Sequence, residues 1–278
     1  MVQNGVGLVS ITARPGATTE VSLEAHTEGA DELIERAVVE CRPAGDRQVL
    51  VVKVPQRHGM KFSRRNAVTV RIETPPGTDI DISTASADIE LNGSLGEANV
   101  KTANGDLNAD EIDGDLLVKT ASGDFSIDTV KGNLHMQSAS GDIRAGRVGG
   151  RTSCSTASGD VEVGSAAGRV EVRSSSGDVR LGHVVGDVKI VGVSGDVRVL
   201  SYASGNLQVR AVSADITIGI APGVTFGIDA ESMSGTVRSD IPLNDSPGGR
   251  GGPPQVVIGA RSVSGDVLVE RAVEAFAT

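Results

Sequence analysis

Glycine recurs every nine residues through the middle of this chain. Gly96, Gly105, Gly114, Gly123, Gly132, Gly141, Gly150, Gly159, Gly168, Gly177, Gly186 and Gly195 keep the beat, which slips by one at Gly205. A fixed short period means one small structural unit repeated, and that leaves few folds open. Around each glycine the apolar residues are in register. Two residues on stand Leu107, Phe125, Ile143, Val161, Val179 and Val197; four on stand Val100, Val118, Ile127, Val163, Leu181 and Val199; seven on stand Ile112, Val130, Val148, Val184 and Tyr202. The residues between are polar, so the second to fourth positions alternate with the period of a strand.

A slower rhythm overlies the first. Alternate units open with Ser-Gly-Asp or Asn-Gly-Asp, at Asp106, Asp124, Asp142, Asp160, Asp178 and Asp196, while those between are looser, as in Gly132-Asn133 and Gly168-Arg169. The true repeat is therefore 18 residues in two halves. Each half gives a strand of about five residues, roughly 17 Å long, and a tight corner; successive coils would stack at about 4.8 Å. The expected fold is all-β: a two-sided parallel β-solenoid, or β-helix, with Val179, Leu181 and Val188 facing the core. Glycine would supply left-handed corners, and Asp and Ser would bond the corner backbone. An antiparallel meander of nine-residue units is the weaker architecture, because it gives no reason for alternate corners to differ.

Three inward residues per half-repeat make thin, uniform layers in which a large ring would jam. That accounts for an aromatic content of 2%, with no Trp and one Tyr. The ends lack the beat. Residues 1–80 read as a small antiparallel β cap domain, with strands at Gly7–Ala13, Glu20–His26, Ala37–Arg42, Val49–Pro55 and Val68–Thr74, and a helical turn at Asp31–Arg36. Residues 81–220 form the repeat region. Residues 221–278 form a C-terminal cap with a Gly/Pro-rich loop at 244–254 and a last strand pair at Gln255–Ala260 and Ser264–Val269. Caps would hide sheet edges that otherwise template aggregation.

The formal charge of −10 is spread along the chain, which argues against nucleic acid, whose phosphates need a basic face. The N-terminal residues have neither a basic nor an apolar stretch of the secretory kind, and no apolar run is long enough to span a membrane. The expectation is a cytoplasmic protein, with peripheral envelope association left open. Cys41 and Cys154 fit no metal spacing and are expected as buried thiols. The four histidines, His26, His58, His135 and His183, share no motif with them, so no nucleophile–base pair can be read. The stacked aspartates suggest a calcium ladder, against which stands their ordinary use as corner caps. Arg144, Arg180 and Arg198 share an outward register and would either meet an acidic partner or form a solvated face with Glu162.

The run of Ser-Gly-Asp-Val units, the Pro75-Pro76-Gly77 turn into them and the closing Ser262-Val263-Ser264-Gly265-Asp266-Val267-Leu268-Val269 resemble the bacterial putative-adhesin, or toast-rack, β-strand-repeat domain of unknown function. The resemblance covers essentially the whole chain. It implies no catalytic residues and, through relatives, a link to envelope-stress systems. No residue is assigned a catalytic, cofactor-binding or metal-ligating role, and no cofactor is expected. The functional expectation is a non-enzymatic scaffold or protein-interaction module, adhesin-like by resemblance. Its partner would be a protein or a second copy, not nucleic acid or a small molecule. A regulatory module in envelope stress and a carbohydrate-active β-helix enzyme are the alternatives.

Overall fold

A computed structural model describes residues 1–16, 18–26, 28–44, 47–55, 67–241 and 255–272. The 244–254 loop and His58 lie outside them. The chain divides into two compact units, Met1–Gly132 with Met136–Ser138, and Asn133–His135 with Ala139–Thr278. Both are parallel β-solenoids.

In the first unit the strands are β1 (Val2–Ala13), β2 (Glu20–Ala25), β3 (Val38–Ala44), β4 (Arg47–Lys53), β5 (Val68–Thr74), β6 (Ile80–Leu95), β7 (Ala98–Lys101), β8 (Leu107–Ile112), β9 (Leu116–Lys119) and β10 (Phe125–Val130), with one helix, α1 (Glu28–Glu35). On one side β5, β1, β6, β8 and β10 are parallel neighbours. On the other, β4, β1, β6, β7 and β9 are. The register step is the repeat itself: Phe125 pairs with Leu107 and Ile127 with Ala109, 18 residues apart. The antiparallel cap is present as β2 on β5 and β3 on β4. β1 is parallel throughout and lies one coil in from the cap, between β5 and β6. Its Val9 and Ile11 are apolar and buried at the same inward register as Ile89 and Leu91 of β6, so the first strand belongs to the coil stack although no glycine beat marks it.

β11 (Leu134–Ser140) has residues in both units. The second unit continues with β12 (Ile143–Val148), β13 (Thr152–Ser158), β14 (Val161–Ala166), β15 (Val170–Ser176), β16 (Val179–Val185), β17 (Val188–Ser194), β18 (Val197–Arg210), β19 (Ile216–Ile220), β20 (Phe226–Ser234), β21 (Val237–Ser239), β22 (Val256–Ser264) and β23 (Val267–Arg271). Side A runs β12, β14, β16, β18, β19, β23, β21. Side B runs β13, β15, β17, β18, β22, β20. All these pairings are parallel, which excludes the meander. β22 and β23 are not paired with each other, as a closing hairpin would be. They form one coil inserted between β18–β19 and β20–β21.

The interior is predominantly aliphatic. Val161, Val163, Val170, Val172, Leu181 and Ile190 are fully buried, and Val179 and Val188 are 2% exposed. Alternation inside each strand follows the pleat, as in β14, where Val161 and Val163 are buried and Glu162 is exposed. Burying each such side chain contributes about 1.5–3 kcal/mol gross, offset by ordering the chain at about 1–2 kcal/mol per residue, so stability accrues over stacked coils rather than within one.

The two corners of a coil differ for a physical reason. At Ser-Gly-Asp corners the glycine is left-handed: Gly177 has φ 129°, and a Cβ there would lie 2.2 Å from the Gly159 carbonyl oxygen. At the alternate corner Gly168 needs no positive φ, yet a Cβ would still come within 2.5 Å of the Gly150 oxygen. The expectation that glycine serves left-handed corners therefore holds at the Ser-Gly-Asp corners and, at the alternate corner, for Gly186 with φ 119°. At Gly168 the requirement is close approach of stacked backbones.

Candidate functional site

The corner aspartates are the most regular polar feature. In the second unit the backbone N–H of Asp160 donates to Oδ1 of Asp142 at 3.0 Å, Asp178 to Asp160 at 2.8 Å, Asp196 to Asp178 at 2.8 Å, Asp215 to Asp196 at 3.1 Å and Asp266 to Asp215 at 2.8 Å. Thr236 N–H closes the series on Asp266 at 2.7 Å. In the first unit Asp106 and Asp124 donate to Asp88 and Asp106 at 3.1 and 2.9 Å. The tight corner leaves one amide per coil without a strand partner, and the carboxylate one coil below satisfies it. The other corner uses the same device, with Arg151 N–H on Asn133 Oδ1 at 2.8 Å and Asn206 N–H on Asp187 Oδ1 at 3.1 Å. Among the described residues no group of three or more His, Cys, Asp or Glu side chains is placed to hold a metal ion.

Hydroxyls form a second corner series that the sequence pattern did not single out. Thr120, Thr156 and Ser262 each donate to the carbonyl two residues on, that of Ser122, Ser158 and Ser264, at 3.0 Å. The signal was there: Thr or Ser recurs two residues before the serine of Ser-Gly-Asp.

Arg144, Glu162, Arg180 and Arg198 are in register on the exposed face of side A. The signs alternate at the first three rungs, and Arg144 also reaches Asp142 Oδ2 at 2.9 Å. Beside them lies a groove of about 180 Å³ lined by Asp142, Arg144, Asp160, Glu162, Asp178 and Arg180. Exposed pairs of this kind contribute about 0–1 kcal/mol each, and the face is a solvated one of mixed charge. In the first unit Lys131 meets Glu111 at 2.8 Å and Asp113 at 2.6 Å, and the lysine's hydrogen bond holds the Asp113 carboxyl below its ordinary range.

Two of the histidines have hydroxyl partners. His26 Nε2 is 2.7 Å from Thr69 Oγ1, and His183 Nδ1 is 3.3 Å from Ser201 Oγ. Cys154 is buried in β13, and burial pushes its thiol up to about 12, away from the reactive thiolate. Cys41 corrects the expectation of two buried thiols. It is exposed, because β3 lies outside β4 and, among the described strands, pairs with β4 on one edge, and its Sγ faces Gln48 Oε1 at 3.5 Å. A cleft of about 600 Å³ in the first unit is lined in part by Val2, Ile11, Leu50, Ile72 and Ile80, with Thr74 and Thr78 joined at 2.9 Å. Among the described residues neither histidine nor cysteine lines it. No described helix is long and apolar enough to cross a membrane.

Comparison with known proteins gives a consistent picture. The model of the family described as Toastrack DUF4097 matches residues 10–163 and again 109–270. Two crystal structures are similar along nearly their whole length. One, a "putative cell adhesion protein" from Clostridium sporogenes, is 10% identical, covers 97% of this chain and 91% of its own, and has a TM-score of 0.26. The other, a "putative adhesin" from Bacteroides fragilis, is 13% identical, covers 96% and 90%, and has a TM-score of 0.38. No curated protein matches.

Proposed function

We propose that this chain, which belongs to the Toastrack DUF4097 family, is a non-enzymatic β-solenoid module that binds other proteins through its regular outer surface. The observation that supports this most is the use made of the polar side chains. The corner carboxylates and hydroxyls are engaged with backbone groups, and side A carries exposed charges of both signs in register, Arg144, Glu162, Arg180 and Arg198. Such a surface offers a rigid, evenly spaced display in which strands are separated by about 4.8 Å. The carboxylates Asp142, Asp160 and Asp178 along the side A groove are taken up by the corner amides stacked above them, which favours a structural use for them.

Affinity capture tests the reading. The full chain, immobilised and exposed to extract from the cells that produce it, retains a protein at fixed stoichiometry. Reversing charge on the side A face with Arg180→Glu and Arg198→Glu weakens retention at least tenfold if that face is the one used. Absence of any retained protein, together with turnover of a polysaccharide substrate, would contradict the proposal.

A further inference from the structure

One corner of the second unit changes character along the stack. Between the end of side B and the next Ser-Gly-Asp, the register position is held by Ala157 and Ser175 in earlier coils. It then becomes Val193, Val212, Val263 and Met233 on four successive rungs. The stacking is fixed by Ser213 N–H on the Val193 carbonyl and Ser264 N–H on the Val212 carbonyl, and by the pairing of Ser232 and Ser234 with Ser262 and Ser264. These side chains are exposed: 49%, 48%, 45% and 84% respectively. Nothing in the coil demands large apolar groups there, since Ala157 and Ser175 occupy the same position in the same backbone. Their neighbours are small and uncharged, with Gly192, Ala211, Ser262 and Ser232 before them and Ser194, Ser213, Ser264 and Ser234 after.

We propose that this ridge is a self-association surface, on which a second copy of the chain docks antiparallel about a two-fold axis. This deepens the interaction-module reading by naming a surface and a partner, and rests on it only in requiring the solenoid to be a binding element.

Two observations select a second copy. The ridge is self-complementary: with the axis between Val212 and Val263, Val212 of one copy faces Val263 of the other, and Val193 faces Met233. The ridge residues and their immediate neighbours carry no charge in a chain of charge −10, so two copies meet there with less repulsion than over a charged face. Size sets the strength. Three half-exposed valines and a nearly free methionine offer on the order of 400 Å² per copy, about half that of a standard interface. The dimer is accordingly a weak and transient one, at the low end of interface size.

Sedimentation velocity on the full chain tests this. From about 10 μM to 1 mM the weight-average sedimentation coefficient rises toward the dimer value, more steeply at higher salt, because salt screens net repulsion. The Val212→Ser/Val263→Ser/Met233→Ser variant, which restores the residue type of Ser175, stays monomeric with an unchanged circular dichroism spectrum. In a Cys41→Ser background, V193C mixed with M233C forms an intermolecular disulfide. V193C alone does not, because identical positions stand three rungs, about 14 Å, apart. Cross-linking of V193C alone, or a concentration dependence that survives the triple substitution, would overturn the proposal. So would a wild type monomeric at 1 mM. If that monomer still retained a different protein at fixed stoichiometry, the ridge would be refuted and the interaction module would stand.

Discussion

Glycine at 177 and glycine at 192 look alike in the sequence and are held for opposite reasons. Gly177 is left-handed and has the Gly159 oxygen where its Cβ would be, whereas a Cβ on Gly192 meets nothing within 4 Å and its φ is ordinary. Gly177→Ala should therefore destabilise by about 2–4 kcal/mol, combining backbone strain with overpacking. Gly192→Ala should leave stability within about 1 kcal/mol, with a bias toward gain from the stiffer unfolded chain. Urea midpoints of the two variants give the comparison directly. The residue scale is also where sequence reading was weakest. Inward residues such as Leu181 were legible from alternation, because the pleat sends every second side chain to the core. The exposure of Cys41 was not, because it depends on β3 pairing, among the described strands, with β4 on one edge. The corner role of the aspartates was legible as a turn habit, but the acceptor's identity, an amide one coil away, needed the stacking distance.

At the scale of the element, the slip in the beat at Gly205 has a local cause. Val184 pairs with Tyr202 but Val185 pairs with Ser204, so Ala203 is an extra residue beside the only tyrosine. Tyr202 fills the inward corner position that Ile112, Val130 and Val148 fill in other coils, fully buried, with its hydroxyl donating to the Gly186 carbonyl at 2.9 Å. The added residue widens the corner for a ring that a regular coil has no room for. Burial first, and then the charge of Asp187, raises the phenol's proton affinity above its ordinary value of 10.0. The folded chain then holds that proton more tightly than the unfolded chain. This contribution to stability is fully present below pH about 10 and is lost as pH climbs above it. With no Trp and one Tyr, alkaline titration followed by tyrosinate absorbance should show ionisation only together with loss of strand dichroism. Tyr202→Phe should flatten the alkaline loss and lower neutral-pH stability by about 1 kcal/mol, since the Gly186 carbonyl loses its donor. An ionisation curve at pH 10 in a chain that remains folded would contradict the buried placement.

For each unit as a whole, the ends follow one rule that the beat did not reveal. β1 lies one coil in from the cap of the first unit, and β22 with β23 lies one coil in from the last rungs of the second. Each outer coil is built from residues nearer the middle of the chain. Periodicity identified the coils because they are all alike. It could not order the end strands, whose neighbours are set by tertiary pairing rather than spacing. The central physical claim is that the folding unit is an 18-residue coil in which two unlike corners alternate. Two deletions weigh that claim. Removing residues 161–178 joins Asp160 to Val179 and preserves the Ser-Gly-Asp-Val corner and the order of sides. Removing residues 161–169 joins Asp160 to Val170 and puts side B residues where side A belongs. Urea unfolding followed by far-UV circular dichroism is the measurement. The longer deletion should keep a single cooperative transition near that of the full chain, and the shorter one should abolish it. Equal tolerance of both deletions, or survival of the nine-residue deletion alone, would contradict the two-sided solenoid.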